Sequence, residues 1–297
     1  MKGLSIVIVS YNTRDILKKC LSNLKTSAPG VQVIVVDNNS SDGSVNIVEA
    51  DFSGVELIKL KENKGLAWAS NIGLKHAKRD FVLYLGSDAF PSKETLEGML
   101  SYMKKHPEVG IATPRLELRN GKEDKDAHRG FPTLWTSFTH FSHLDKIFSG
   151  TKLFDRYFMG YKDFLKEQEV DLCISHFMFI RKEVFKKAGI WDEDFFVYGE
   201  DVDFCYRAKQ AGWKIMYLPQ FTVLHYKGAG VGIRKETQDI SPASKETRKR
   251  MAKASTRAML TFYRKHYIKR YPKIAAGLVY ICVLVLERLR LLKINRQ

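Results

Sequence analysis

The chain has 297 residues, 44% hydrophobic and 28% charged, ordinary for a globular protein and enough for one large or two modest domains with a real core. Its four cysteines (Cys20, Cys173, Cys205, Cys282) form no C-x-x-C pair, which argues against a disulfide framework or a zinc site and for a reducing compartment. The net charge of +16 is unevenly placed: residues 231–297 hold 17 Lys/Arg against 4 Asp/Glu, while residues 1–230 are nearly neutral, so the tail calls for a polyanionic partner, either nucleic acid or an anionic membrane surface.

Residues 4–9 (LSIVIV) are short, β-branched and apolar, and predict a buried parallel strand. The run passes straight into Ser10-Tyr11-Asn12, so no secretory leader is expected. Ile16, Leu17, Cys20, Leu21 and Leu24 repeat at helical spacing over 14–26. A second strand at 31–36 stops in the turn-forming run Asp37-Asn38-Asn39-Ser40-Ser41-Asp42-Gly43. A helix at 44–50, a strand at 55–60, a helix at 66–77 and a strand at 80–85 follow, the last ending at Gly86-Ser87-Asp88. This alternation predicts an α/β fold with a mostly parallel, Rossmann-like sheet flanked by helices.

In such sheets ligands bind beyond the carboxyl ends of the strands. Three polar clusters fall there: Ser10-Tyr11-Asn12, Asp37-Asn38-Asn39 and Ser87-Asp88. Neither a G-x-G-x-x-G fingerprint nor a G-x-x-x-x-G-K-[ST] loop is present, which disfavours NAD and a P-loop. Residues 117–170 are less regular, with charged turns at 120–126 and then many aromatics (Phe131, Trp135, Phe138, Phe141, Phe148, Phe154, Tyr157, Phe158, Tyr161, Phe164) expected to be core. Further on, a strand is expected at 171–181, a short helix at 183–188, a helix at 201–211 and strands at 213–218 and 221–225, divided by Pro219.

The stretch Phe195-Phe196-Val197-Tyr198-Gly199-Glu200-Asp201-Val202-Asp203-Phe204 sets three carboxylates beside four aromatic rings. Crowding of that kind raises carboxyl pKa values and suits a general base, although acids in a first helical turn are also favoured by the helix dipole alone. The tail predicts a basic helix at 244–270 and an apolar run at 274–286 framed by Lys, Arg and Tyr. Thirteen apolar residues are too few for a span of about 20 but suit a helix lying in a membrane interface. A buried C-terminal helix or a dimer contact is the alternative.

Several of these segments together resemble family 2 glycosyltransferases of the GT-A fold, in particular the bacterial rhamnosyltransferase-like branch. They are Ser5–Asn12, Val33–Ser44, Asn63-Lys-Gly-Leu-Ala-Trp-Ala-Ser-Asn-Ile-Gly73, Leu83–Asp88, Trp191–Asp203 and His225 with its following Tyr-Lys-Gly-Ala-Gly. The resemblance covers residues 3–228 in order. It implies a GT-A domain over 1–230 followed by a basic amphipathic helical tail over 231–297, the tail docking on an anionic membrane. The implied activity is transfer of a sugar, with inversion, from a nucleoside-diphosphate donor to a lipid-linked or oligosaccharide acceptor, on the cytoplasmic face of a membrane.

By the same resemblance Ser10, Tyr11, Asn12, Asp37, Asn39, Asn63, Gly65, Asn71 and Ser87 would contact the nucleotide sugar, with a purely capping role as the equal alternative for Asn71. Asp37 would accept from a pyrimidine N–H. Asp88 and His225 would hold a divalent cation, Mg²⁺ or Mn²⁺. Asp201, assisted by Glu200, would be the base. Asp203 is expected to pair with Arg207 four residues on. Trp191, Phe196 and Tyr198 would stack on a sugar face on the acceptor side, and His176 would stand with them or touch the diphosphate. Two departures are visible: Gly86-Ser87-Asp88 keeps only the last acid of the usual metal motif, and Ser175-His176 replaces a Gly-Ala pair. A catalytically impaired scaffold, or a protein that binds nucleic acid through the tail without a recognisable recognition module, are the competing expectations; the oligomeric state stays open.

Overall fold

Four short apolar strands open the chain, and in the computed structural model, which describes residues 1–230, 232, 237, 240 and 243–296, they pair in parallel in the order β3-β2-β1-β4. The elements are β1 (Leu4–Ser10), α1 (Arg14–Ser27), β2 (Gln32–Asp37), α2 (Ser44–Asp51), β3 (Glu56–Lys59), α3 (Leu66–His76) and β4 (Phe81–Leu85). Every residue of β4, and all of β1 except Val9, is buried, as expected of strands covered on both faces. Helix α1 buries Ile16, Leu17, Cys20, Leu21 and Leu24, the face its spacing predicts. Ser10 and Asp37 stand opposite each other in the register, so the polar clusters after β1 and β2 emerge side by side.

Beyond β4 the chain continues as β5 (Ala89–Pro91), α4 (Lys93–Lys105), β6 (Val109–Leu118), α5 (Leu134–Phe141), α6 (Leu144–Ile147), β7 (Gln168–Glu169), β8 (Phe177–Arg181), α7 (Glu183–Ala188), α8 (Glu200–Gln210) and β9 (Lys214–His225). Here the sheet becomes mixed. Strand β8 enters antiparallel between β4 and β6, β5 and β7 run antiparallel to β9, and only β6–β9 is again parallel. The sheet is thus parallel in its first half only, because β8 arrives from the loops at the strand tips rather than from a crossover helix on the sheet face.

Three local expectations change. The strand at 171–181 is confined to β8. The two strands around Pro219 are one, β9, with a register irregularity: Leu218 pairs Pro114 and Thr222 pairs Arg115, so the residue that lacks an N–H sits where the ladder is interrupted. The aromatic segment is not core throughout: Trp135, Phe138, Phe141 and Phe148 are 41–55% exposed, because α5 and α6 lie outside the sheet layers and, among the described residues, nothing covers their outer faces.

The tail forms α9 (Lys245–His266) and α10 (Lys273–Asn295). Ser244 caps α9 by accepting the Thr247 N–H. Helix α9 packs on the body through Phe195, Tyr206, Ala258, Phe262, Tyr263 and Tyr267, with Ala276, Val279 and Tyr280 of α10 closing the cluster. Among the described residues no helix is long and apolar enough to cross a membrane.

Candidate active site

The strand tips surround a cleft of about 450 Å³. Its first wall comes from the end of β1, where Ser10 Oγ and Thr13 Oγ1 share a 2.8 Å hydrogen bond and Tyr11, Asn12 and Thr13 face the cavity. Asn12 takes a left-handed φ of +53°. It is held by its own N–H donating to Ser40 Oγ and its Oδ1 accepting from Ser41 N–H.

The end of β2 supplies Asn38, whose Nδ2 donates to Asn63 Oδ1 at 3.0 Å and to the Gly65 carbonyl at 3.3 Å. Asn63 Oδ1 also accepts the Gly65 N–H. Asp37 is buried just behind: Oδ1 accepts the Ser40 N–H at 2.8 Å, and Oδ2 is buried without a hydrogen-bond partner, an acceptor left over for a ligand.

Gly65 sits at φ +105°, ψ 173°, a conformation essentially reserved for glycine. A Cβ there would stand 2.4 Å from the Phe196 carbonyl oxygen, which itself accepts the Leu66 N–H at 2.6 Å. Gly65 therefore lets the front wall and the loop before α8 meet. Gly65→Ala is expected to lose about 2–4 kcal/mol from strain and overpacking together, read as a lower urea midpoint.

The floor is Leu85, Gly86, Ser87 and Asp88. Asp88 is 1% exposed, with His225 Nε2 3.6 Å from its Oδ1 and the Gly230 N–H 3.3 Å from its Oδ2. The Asp88, His176 and His225 donor atoms all lie within 4.8 Å of one another. Burial works against the Asp88 carboxylate, but the His225 and His176 rings outweigh it and hold it at about 2. His225 is likewise raised to about 9 against the cost of burial, by Asp88 and Asp124. Its Nδ1 bonds Asp124 Oδ2 at 3.0 Å, and Asp124 Oδ1 accepts from Lys227 Nζ at 2.6 Å. His225 Nε2 and His176 Nδ1 are both buried with no hydrogen-bond partner. Two orphaned imidazole nitrogens beside a buried carboxylate fit a divalent cation.

On the far side Ser175 lines the cleft, and its Oγ donates to Glu200 Oε1 at 3.1 Å. Tyr198 and Gly199, both left-handed, turn the chain sharply into α8, so that Glu200, Asp201 and Asp203 fall in its first turn, where the helix dipole favours negative charge. Burial, and next the Asp201 charge, push Glu200 up to about 8; its Oε2 has no partner. Asp201 Oδ2 lies 4.0 Å from Arg129, a compensating positive charge. Asp203 faces away and is paired at 2.8 Å with Arg207, as its spacing predicts, and also with Lys265 and His266 of α9.

Of the residues singled out from the sequence, Tyr11, Asn12, Asn63, Gly65, Ser87, Asp88, His176 and Phe196 line the cleft. His225 reaches its floor cluster; Ser10 bonds the lining Thr13 and Glu200 the lining Ser175, Asp37 immediately precedes the lining Asn38, and Asp201 follows Glu200 and lies beside Arg129 without lining the cleft itself.

Others are placed differently. Asn39 is exposed and left-handed, so its neighbour Asn38 takes the cleft position. Asn71 is a clamp: its amide donates to the Trp191 carbonyl and Glu193 and accepts the Trp191 N–H, which leaves it no group for a ligand. Trp191 is core, packed edge-on to Tyr84 at 4.8 Å and against Phe204, and offers no acceptor surface. Tyr198 packs toward the tail cluster instead of the cleft. His176 joins Asp88 and His225 rather than the acceptor side.

Sequence reasoning missed Asp124 and Arg129, although the charged turns at 120–126 were a signal for the first. It also missed Arg250, for which no signal existed. The Arg250 guanidinium lies 5.9 Å from the Tyr11 ring and 5.8 Å from the Phe196 ring, and Ser244, Glu246, Thr247 and Met251 roof the cleft with it.

A parallel half-sheet extended by an antiparallel β8, with a buried acid just past the tip of β4 and an acidic pair opening α8, defines a GT-A glycosyltransferase. The chain belongs to glycosyl transferase family 2, whose model matches residues 5–189, and is a glycosyltransferase. It is 28% identical over 232 residues to rhamnosyltransferase WbbL of Escherichia coli (strain K12), covering 74% of this chain and 82% of that one. It is 25% identical over 242 residues to the N-acetylglucosaminyl-diphospho-decaprenol L-rhamnosyltransferase of Mycobacterium tuberculosis (strain ATCC 25618 / H37Rv), covering 77% and 78%. Among solved structures it resembles residues 1–349 of S. aureus TarS in complex with UDP-GlcNAc, with TM-score 0.55 and 20% identity over 86% of this chain and 66% of that chain. It also resembles the mannosyltransferase PcManGT from Pyrobaculum calidifontis in complex with GDP-Man and Mn²⁺, with TM-score 0.56 and 15% identity over 99% and 73%.

Proposed function

We propose that the chain moves a sugar from a nucleoside-diphosphate donor to a hydroxyl of a lipid-linked saccharide by direct displacement with inversion. The supporting observation is that the Asp88–His176–His225 cluster on the cleft floor adjoins Ser175, whose Oγ donates to Glu200, the residue before Asp201. The front wall, Tyr11 to Thr13 with Asn38 and the unpartnered Asp37 Oδ2, suits a nucleoside. Asp88, His176 and His225 would hold a divalent cation, which supplies positive charge to the departing diphosphate.

Asp201 takes the proton of the acceptor hydroxyl. That oxygen forms its bond to the anomeric carbon from the face opposite the diphosphate, and the bond to the diphosphate oxygen breaks with its electron pair leaving on phosphate. Glu200, protonated at neutral pH, holds Ser175 and adds no second negative charge beside the base. The names of the two rhamnosyltransferase relatives favour a deoxyhexose donor, and the second favours a polyprenol-diphosphate sugar as acceptor.

The test is release of nucleoside diphosphate from a panel of nucleotide sugars with a polyprenol-diphosphate N-acetylglucosamine acceptor. Acceptor-dependent turnover that stops with EDTA supports the proposal; donor binding without turnover under any metal would leave a scaffold.

The tail is proposed to dock on the anionic inner face of the membrane. Helix α10 leaves Ile274, Leu278, Ile281, Val285, Leu289 and Leu292 exposed on one stripe, each worth roughly 1.5–3 kcal/mol if fully buried. The exposed aromatics of α5 begin where Phe131 and Leu134 meet the same tail cluster. Sedimentation with phosphatidylglycerol vesicles, lost in Leu278→Glu/Ile281→Glu, is the expected result. Binding to duplex DNA but not to vesicles would reverse the assignment.

A further inference from the structure

We propose that the groove between α9 and the loop before α8 binds the diphosphate that carries the acceptor sugar, so that the basic tail supplies a second anion site beside the catalytic cleft. This deepens the sugar-transfer proposal, on which it rests for the identity of the ligand though not for the geometry.

The groove has a volume of about 310 Å³. The loop from Asp194 to Val197 forms one side, and Arg250, Lys253, Ala254, Arg257 and Ala258 of α9 form the other. At 3.6 residues per turn those five positions share one helix face, which sets three cations along about 10 Å of axis. Ala254 and Ala258 leave open the space that larger side chains would fill. Together with Phe196 and Val197 they give the groove an apolar floor under its cationic edge.

These cations are free to meet a ligand. Lys253 and Arg257 are exposed and, among the described residues, form no ion pair. Other tail cations are already engaged: Lys265 with Asp192 and Asp203, Arg290 with Ser255, and Lys245 with the Asn295 carbonyl. The Arg250 guanidinium lies against the Tyr11 and Phe196 rings, which orient it without neutralising it. Asp194, also exposed, is the single carboxylate among the groove residues. Three positive charges against one negative leave room for a doubly charged anion. An arginine fork pairs with phosphate oxygens two at a time, and a lysine adds a point charge.

Position selects the anion. Phe196, Val197 and Arg250 line both the groove and the cleft, and the loop they border runs on into Glu200 and Asp201. In a saccharide linked to prenol through diphosphate, the first sugar is bonded directly to phosphate. Its anion must therefore rest about one sugar ring from the hydroxyl that reacts. A diphosphate in the groove meets that requirement, its sugar passing Phe196 into the cleft and the first carbons of the prenyl chain covering the apolar floor. The cation on the cleft floor serves the departing diphosphate. The acceptor diphosphate needs positive charge of its own, and α9 provides it without a metal.

The test uses full-length protein in neutral detergent with EDTA, so that binding through a cation in the cleft does not contribute. The probe is farnesyl-diphosphate-linked N-acetylglucosamine, followed by calorimetry, with octyl N-acetylglucosaminide as the uncharged control. The expected result is binding of the diphosphate probe that weakens at least about tenfold in Lys253→Gln/Arg257→Gln, since charge-assisted contacts of this kind are worth that much. Binding of the uncharged control should not change between the two proteins. Ala254→Leu, which fills the groove and keeps every charge, should weaken the diphosphate probe as well. In turnover the double variant should raise the KM for the acceptor at least about tenfold and leave the KM for the donor unmoved. Undiminished probe binding in the double variant, folded by circular dichroism, would overturn the assignment. So would displacement of the probe by an equal concentration of phosphatidylglycerol in the same micelles, which would make the groove a phospholipid headgroup site. The expected binding pattern in a protein that turns over no nucleotide sugar would support the groove and count against the sugar-transfer proposal alone.

Discussion

Replacing Asp201 by Asn is expected to lower turnover by about 10²–10⁴-fold while leaving donor binding near its original strength, because a positioned general base contributes about that much and Asp201, beside Arg129, is not part of the nucleotide wall. Donor affinity by calorimetry and turnover by diphosphate release separate the two effects. Glu200→Gln should cost far less, since the amide copies the protonated carboxyl that burial and the Asp201 charge favour. The pair also fixes a sign in pH. A carboxyl raised from its usual value near ~4 to about 8 keeps in the folded state a proton that the unfolded chain releases. Its contribution to stability therefore falls as pH rises through that window. Glu200→Gln should flatten this decline, measured as melting temperature against pH; an equally steep decline in the variant would place its origin elsewhere.

The second large effect is expected at Asp203. Its carboxylate has no exposed surface and meets Arg207, Lys265 and His266 at 2.7–2.8 Å. It ties the first turn of α8, which carries Asp201, to the end of α9. Asp203→Asn removes the buried negative charge that Arg207, Lys265 and His266 converge on; because Arg207 and His266 are half-buried and Lys265 is exposed, water takes over part of their solvation, and the loss is about 1–3 kcal/mol, on the order of 5 °C in melting temperature. Amide exchange should rise across α9 and stay unchanged in the β1–β2 ladder. Against the cost of burial, His266, Arg207 and Lys265 hold Asp203 at about 2. Its stabilisation is therefore complete above the ordinary carboxylate value near ~4 and is lost as pH falls toward 2. The variant should lack that acid limb.

Period and punctuation made the first half legible from the chain alone. Buried parallel strands need continuous apolar runs, and each run here stops at polar turn formers, so β1 to β4 and the clusters after them could be placed to within a residue or two. Glu200-Asp201 and Asp88 were legible for the same reason, as acids at element ends. The tip of β8 was harder. Ser175-His176 stood out as an irregularity, yet its destination depends on β8 running antiparallel, and no local pattern encodes strand direction.

What the sequence determined by itself was the strand-tip address of the cleft and the acids in it, which follow from short-range periodicity and residue chemistry, and, through the resemblance of its motifs, the family. Only the tertiary structure decided that Asn71 clamps and does not bind, that Trp191 lies in the core, that His176 meets Asp88 and His225, and that Arg250 of the basic tail closes over Tyr11 and Phe196. Each of those depends on groups from distant parts of the chain meeting at one point, and such meetings are fixed by packing the layers together rather than by any stretch of neighbouring residues.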